Sequence, residues 1–371
     1  MSCDLWTSAR DCVRAIEPYQ PGKPIEELER DLGIRNAIKL ASNENPWGPS
    51  PRAQAALAAL DPASWARYPD GAATMLRRAL ADKLGVSASA VTIGNGSNDL
   101  LELAARAFVG VGDKVVYAQH AFAVYAIVTQ AVGGCHVEVP ARRFGHDLPA
   151  MAKAAADAKL VFVANPNNPT GTCEGAGALE AFLRQVPAHV PVVVDEAYRE
   201  YVARSDYPDT VAWLARFPNL IVTRTFSKIY GLAGLRVGYA ISDPKVADLM
   251  NRLRQPFNVN LAAQVAARAA LEDDAFVTRC HKENLAGLAV LSEGLARLGH
   301  TVLPSAANFL TFEAERAAEV YQALLREGVI VRPIANYGMP NHLRVTVGTP
   351  QENTRFLAAL ERIMSQSKAA V

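Results

Sequence analysis

The chain has 371 residues, 50% of them hydrophobic and 20% charged, a composition that excludes a disordered or membrane-embedded protein and a length beyond what one core usually supports. A formal net charge of +1 at pH 7, with no runs of lysine or arginine, leaves no electrostatic reason to invoke nucleic acid or an anionic membrane. No stretch of 18 apolar residues occurs, so no membrane-spanning helix is expected.

In chain order, Asp4, Arg10, Asp11 and Arg14 interrupt any apolar signal core, which argues against secretion and for a cytoplasmic protein. Residues 1–50 are rich in proline, asparagine and charge and show few regular signals. They read as an arm, taken as 1–40, that leans on other parts of the molecule. From about residue 91 short β-rich runs alternate with helical ones. Strands are expected at 114–118, 135–139, 160–164, 190–194, 220–223 and 235–241, with helices at 122–131, 148–156 and 174–185 between them. This alternation predicts an α/β fold, a mostly parallel central sheet covered by helices. The texture changes at Gln255-Pro256-Phe257. Two helices follow, 261–272 and 274–298, then strands at 307–312, 329–332 and 343–347 with helices at 315–327 and 350–366. The expected organisation is therefore an arm (1–40), a large domain (41–258) and a smaller α+β C-terminal domain (259–371).

Cys3, Cys12, Cys135, Cys173 and Cys280 are odd in number and lack C-x-x-C spacing, so reduced thiols are expected. Seven histidines without an H-E-x-x-H pair give no reason to expect a metal. No G-x-S-x-G elbow marks a serine hydrolase.

Four polar clusters fall where strands end, the place where open α/β sheets bind ligands. Gly94-Asn95-Gly96-Ser97-Asn98-Asp99 precedes a helix and offers either an anion seat or a plain N-cap. Asp99 stands where a dinucleotide fingerprint needs a third glycine. Asn165-Pro166-Asn167-Asn168-Pro169-Thr170-Gly171 is either a well-made loop or a donor-rich site. Asp195, directly after an apolar strand, needs a cation: a protonated ring nitrogen of a ligand or a structural arginine. Tyr198 could reach the same ligand. Phe122, near Tyr125, is either a flat face for a ring or ordinary core. Between Thr225 and Arg236 lies Lys228, flanked by hydroxyls and glycines, a setting that can hold an aldehyde as a Schiff base beside a phosphate.

Together, Asn168-Pro169-Thr170-Gly171, Asp195-x-x-Tyr198, Ser227-Lys228 and Arg236 resemble the ordered signature of the fold-type I pyridoxal-phosphate aminotransferases. Asp195 lies 27 residues after Asn168, and Lys228 lies 33 after Asp195, separations of the size that family shows. Glu17-Pro18-Tyr19, Asn43-Glu44-Asn45-Pro46, Arg67-Tyr68-Pro69-Asp70, Val331-Arg332-Pro333 and Leu343-Arg344-Val345-Thr346-Val347-Gly348 resemble its histidinol-phosphate aminotransferase branch.

The resemblance implies pyridoxal 5'-phosphate as cofactor, with Lys228 as its covalent anchor and Asp195 facing the ring nitrogen. It implies Asn168 and Tyr198 on the ring oxygen and Phe122 stacked on the ring. Ser97, Asn98, Thr225, Ser227 and Arg236 would form the phosphate cup. Tyr68 would enter from a neighbouring subunit, which implies a homodimer. Tyr19, Asn43, Arg332 and Arg344 would hold the substrate. Phe122 departs from the tyrosine of many relatives; stacking survives, the phenol's hydrogen bond does not. The implied reaction passes an amine from histidinol phosphate to 2-oxoglutarate, with Lys228, Asp195 and Tyr198 as the catalytic groups. An aromatic amino-acid aminotransferase and, behind it, a phosphate-recognising decarboxylase are the alternatives. A non-catalytic effector module and a nicotinamide dehydrogenase are the rivals from other classes. Borohydride reduction of the cofactor-loaded protein, followed by peptide mapping, should label Lys228, and Lys228→Ala should abolish turnover. An unlabelled Lys228 would overturn the assignment.

Overall fold

The computed structural model describes residues 4–369, so Cys3 lies outside the described residues. Its largest sheet has seven strands in the spatial order Val91–Gly94, Gly238–Ser242, Leu220–Thr225, Val192–Asp195, Leu160–Ala164, Lys114–Ala118, Cys135–Val139. Only Gly238–Ser242 runs against its neighbours; the other pairings are parallel. The sheet is thus the mostly parallel one that the alternation predicts. Its three central strands are buried at every residue, as runs of valine, isoleucine and leucine between two helical layers must be. The other six strands point their C-terminal ends, and so Gly94, Asp195 and Thr225, toward one edge.

Two expected strands are altered. The run 235–241 begins as a 3-10 turn, Ala233–Leu235, with Arg236 in the left-handed region at φ 56°, and pairing starts only at Gly238. Apolar continuity suggested a strand there, but the glycine-rich loop keeps its arginine out of the ladder. The run 329–332 splits at Val331. Val329–Ile330 pairs in parallel with Ile38–Lys39 of the N-terminal segment, whereas Arg332–Pro333 pairs with the strand His342–Thr346. That strand also pairs with Phe309–Glu313, closing a three-stranded antiparallel sheet in which Arg332 lies directly opposite Arg344. Helices Asp274–Arg297, Ala317–Arg326 and Pro350–Ala369 accompany this sheet, and a second core forms around Leu310, Phe312, Leu343, Val345 and Phe356.

The edge strand Val91–Gly94 and the helices Pro51–Ala58 and Thr74–Leu84 lie where the sequence shows little periodicity. The helix Leu261–Leu271 packs on both of these helices, and its alanine face (Ala263, Ala266, Ala267, Ala270) joins the core of the large sheet. Gly231 shows how tightly the N-terminal segment is held. At φ 70°, its missing Cβ would sit 2.0 Å from the Gly48 carbonyl oxygen, so no other residue fits.

Beneath the sheet edge, Arg224 Nε meets Glu196 Oε2 at 2.9 Å, with the two side chains 3% and 0% exposed, and Thr210 Oγ1 donates to Glu196 Oε1 at 2.7 Å. Removing Arg224 leaves the buried Glu196 carboxylate with Thr210 and only a looser contact to Arg199 Nε at 3.8 Å. Arg224→Met should therefore lower unfolding free energy by about 3–5 kcal/mol in urea titrations; a change within experimental error would show that the pair does not hold this layer.

Candidate active site

A cavity of about 220 Å³ opens at the C-terminal ends of the parallel strands. It brings together Ser97, Asn98, Phe122, Asn168, Asp195, Tyr198, Thr225, Ser227, Lys228, Arg236, Tyr19, Asn43 and Arg344. Two of the expected residues, Arg332 and Tyr68, stand apart from it.

Asp195 is the last residue of the central strand Val192–Asp195 and is buried. Tyr125 Oη donates to its Oδ2 at 3.0 Å, and Thr223 Oγ1, its register partner on the adjacent strand, donates to Oδ1 at 3.2 Å. No lysine or arginine forms an ion pair with it among the described residues; the buried arginine, Arg224, goes to Glu196 instead. Burial pushes the carboxyl up to about 6, against the pull of the two hydroxyls. A cationic nitrogen in the cavity would restore its charge.

Lys228 faces the same space. Its Nζ donates to the Ser42 carbonyl at 3.1 Å and lies 5.6 Å from the Tyr198 ring centroid, with no carboxylate in ion-pair contact among the described residues. Burial, then the positive charges of Arg344 and Arg236, bring its amine down to about 7, although Glu44 and Asp195 oppose the shift. An amine that is partly neutral near pH 7 can attack a carbonyl.

At the other end of the cavity the helix Ser97–Phe108 begins. Its N-cap is Gly96, at φ 84° and without a side-chain cap bond, so the plain N-cap by Ser97 or Asn98 is not what forms. A Cβ at Gly96 would come within 3.0 Å of Arg236 Nη2, so the guanidinium lies against the bare helix start. Ser227 N–H donates to Thr225 Oγ1 at 3.1 Å, placing both hydroxyl residues on the same rim. Free helix N–H groups, an arginine and three hydroxyls form a seat for a doubly charged anion.

Arg344 connects the sheets. Nη1 donates to Asn168 Oδ1 and Nη2 to the Ala41 carbonyl at 2.6 Å, while Nε is buried without a partner. Because Asn168 accepts through its oxygen, its amide hydrogens remain for the cavity. Arg332 is buried one strand away; Nη2 donates to the Gln20 carbonyl, and its guanidinium carbon lies 5.6 Å from the Tyr19 ring centroid. Tyr19 thus separates it from the cavity. Tyr68 is 82% exposed and stacks on Phe257 at 4.6 Å, in a different hollow with Trp65 and Pro256. Phe122 lines the cavity edge-on to Tyr125, 5.9 Å between centroids.

The hydroxyls that hold Asp195 leave little trace in the sequence: Thr223 follows from strand register, but nothing local ties Tyr125 to a residue 70 positions on. An aldehyde-bearing ring with a phosphate at one end and a basic nitrogen at the other fits the reactive amine, the anion seat and the unpaired carboxylate, and leaves the Arg344 Nε, unpartnered among the described residues, for a second anion.

Residues 35–360 match the model of the aminotransferase class I and II family, and the chain belongs to that family. Its fold is that of the fold-type I enzymes. Among relatives, the histidinol-phosphate aminotransferase of Methylobacillus flagellatus is 57% identical over 97% of this chain and 98% of its own length. A second, histidinol-phosphate aminotransferase 2 of Pseudomonas aeruginosa, is 54% identical over 98% of this chain and 99% of that protein. The crystal structure of histidinol-phosphate aminotransferase from Sinorhizobium meliloti in complex with pyridoxal-5'-phosphate superposes with a TM-score of 0.88 at 29% identity, covering 97% of this chain and 99% of the other.

The raised Asp195 carboxyl carries a stability signature. Its folded value of about 6 exceeds the unfolded 3.8, so the folded cofactor-free protein binds the extra proton between those values and loses stability as pH rises through them. Asp195→Asn should make the cofactor-free protein more stable than wild type above pH 6, by on the order of 2–3 kcal/mol, with the gain fading below about pH 4. Urea unfolding across this range measures it; a pH-independent difference contradicts it.

Proposed function

We propose that this chain is a pyridoxal-phosphate-dependent histidinol-phosphate aminotransferase, exchanging the amine of histidinol phosphate with 2-oxoglutarate to give imidazole acetol phosphate and glutamate in histidine biosynthesis. The observation that carries the reading is the placement of Lys228 between an anion seat and an unpaired buried carboxylate. The names of relatives identical over half of nearly the whole length support the substrate.

When bound, the cofactor supplies a sink for the charge that develops at the substrate carbon. The protein does the rest. Lys228 Nζ would anchor the cofactor, and this amine, brought down to about 7 by burial, is suited to hold and move the proton of the substrate carbon. Asp195, oriented by Tyr125 and Thr223, keeps the ring nitrogen protonated. Asn168 and Tyr198 orient the ring oxygen, and Phe122 covers one ring face. Ser97, Asn98, Thr225, Ser227 and Arg236 hold the phosphate. Arg344 grips the anionic end of the substrate, with Arg332 and Tyr19 behind it and Asn43 in the same wall. Arg332 lies directly opposite Arg344 in register, so it adds positive charge behind the anion site while Arg344 itself meets a phosphate in one half-reaction and a dicarboxylate in the other.

The assembly we propose is a homodimer. Trp65 and Tyr68, 72% and 82% exposed, with Phe257 beside them, leave an aromatic hollow open on one chain, and Tyr68 would complete the phosphate seat of a second copy. The arm (1–40), large domain (41–258) and small domain (259–371) are the units of that assembly, with Leu261–Leu271 packed against the large one. No helix among the described residues is long and apolar enough to cross a membrane, and a cytoplasmic location is part of the proposal.

Steady-state kinetics with histidinol phosphate, phenylalanine and tyrosine against 2-oxoglutarate should rank histidinol phosphate first by kcat/KM. Arg344→Ala should cost about 100-fold or more for that donor, since a buried charged contact is lost. An aromatic amino acid outperforming histidinol phosphate by orders of magnitude would defeat the substrate assignment.

A further inference from the structure

Asn43 lines the cavity, yet its amide is already engaged by the protein. Its backbone is in the left-handed region at φ 56°, which asparagine tolerates better than most residues. The Asn43 N–H donates to Thr346 Oγ1 at 3.0 Å. That hydroxyl has one hydrogen, and it donates it to Asn43 Oδ1 at 3.1 Å. Asn308 Nδ2 donates to the Asn43 carbonyl at 3.0 Å and holds the backbone from another side. The flipped amide would leave the hydrogen of the buried Thr346 hydroxyl without its acceptor, so Nδ2 faces Tyr198 Oη, 2.8 Å away.

An amide nitrogen can only donate. The Tyr198 oxygen is therefore the acceptor, and its own single hydrogen must point elsewhere. Among the described residues nothing accepts that hydrogen, and Tyr198 lines the cavity. We infer that Asn43 is a positioning residue that turns Tyr198 into a one-way donor, aiming the phenol hydrogen at whatever oxygen occupies the cavity wall opposite. This rests on the proposal above that Tyr198 faces the ring oxygen of pyridoxal phosphate. A donor aimed at that oxygen favours its deprotonated form and so lowers its pKa.

Thr346 lies two residues beyond Arg344 on one strand, so both side chains leave the same face of the small sheet. The strand that carries the substrate-facing arginine also sets the direction of a hydrogen bond on the cofactor side.

The test is the pH titration of the absorbance of lysine-bound pyridoxal phosphate, read without turnover. In Asn43→Asp both side-chain oxygens accept, so Tyr198 must give its hydrogen to residue 43 and turn from the cavity. Asn43→Gly keeps the left-handed backbone and removes the side chain altogether, which guards against the carboxylate disturbing the fold. Asn43→Asp should raise the absorbance pKa by about one unit, the size of one hydrogen bond to a charged group, and Asn43→Gly, which loosens the phenol without offering it another acceptor, should raise it by less. Tyr198→Phe should raise it similarly, and adding either Asn43 change to Tyr198→Phe should produce no further shift. If Tyr198→Phe shifts the titration but the Asn43 variants do not, or if their shift survives in the phenylalanine background, the inference fails and the reading of the cavity stands. If Tyr198→Phe is itself silent, the reading of the cavity fails and the inference with it.

Discussion

A carboxylate buried without a cation is the constraint around which this molecule is arranged. Asp195 ends the central strand of the sheet, where hydrophobic packing is tightest and desolvation of a charge costs most. The surrounding structure could have supplied an arginine; one residue further along, it does so for Glu196. For Asp195 it supplies two hydroxyls, which steady the carboxyl and leave its charge to be answered from the cavity. Lys228 presents the complementary situation, a cation without an anion, depressed by burial and by two arginines. A ligand with a basic nitrogen and an aldehyde relieves both at once. Stability given up in the empty protein is regained on binding, which concentrates affinity on one kind of molecule.

The rest of the fold can be read as support for that pair. Fully buried parallel strands make a rigid floor, so the end of a strand is placed to within a fraction of an ångström. Gly231 lets the loop bearing Lys228 lie against the Gly48 carbonyl. The antiparallel strand Gly238–Ser242 brings Arg236 back beside the start of the Ser97–Phe108 helix, and a parallel strand there would have needed another crossover.

Much of this was legible in the chain. The strands at 114–118 and 160–164 have the bounds their apolar runs suggest, because a strand covered on both faces carries its signature at nearly every residue, whereas the largely exposed edge strand at 135–139 is marked by its alternating valines. Polar clusters after those runs marked the cavity, since few structures explain asparagines, glycines and a carboxylate at consecutive strand ends. What escaped depended on geometry between distant segments. Leu235-Arg236-Val237 looked like strand because apolarity alone cannot distinguish a ladder from a loop held in place by an arginine. The bond from Tyr125 to Asp195 has no local signal. Ile38–Lys39 is too short to read as a strand, and its partner lies far away in the chain.

That last pairing has a bearing on how the molecule is made. Ser42 and Asn43, which touch Lys228 and Tyr198, are synthesised long before the groups that fix them in place, which belong to Asn308, Ile330, Arg344 and Thr346. A nascent chain can complete its large sheet long before those late partners are synthesised. The catalytic chamber therefore closes only when the segment around Ser42 meets the one from Asn308 to Thr346, and a chain broken off before Asn308 would have the floor of the site without its wall.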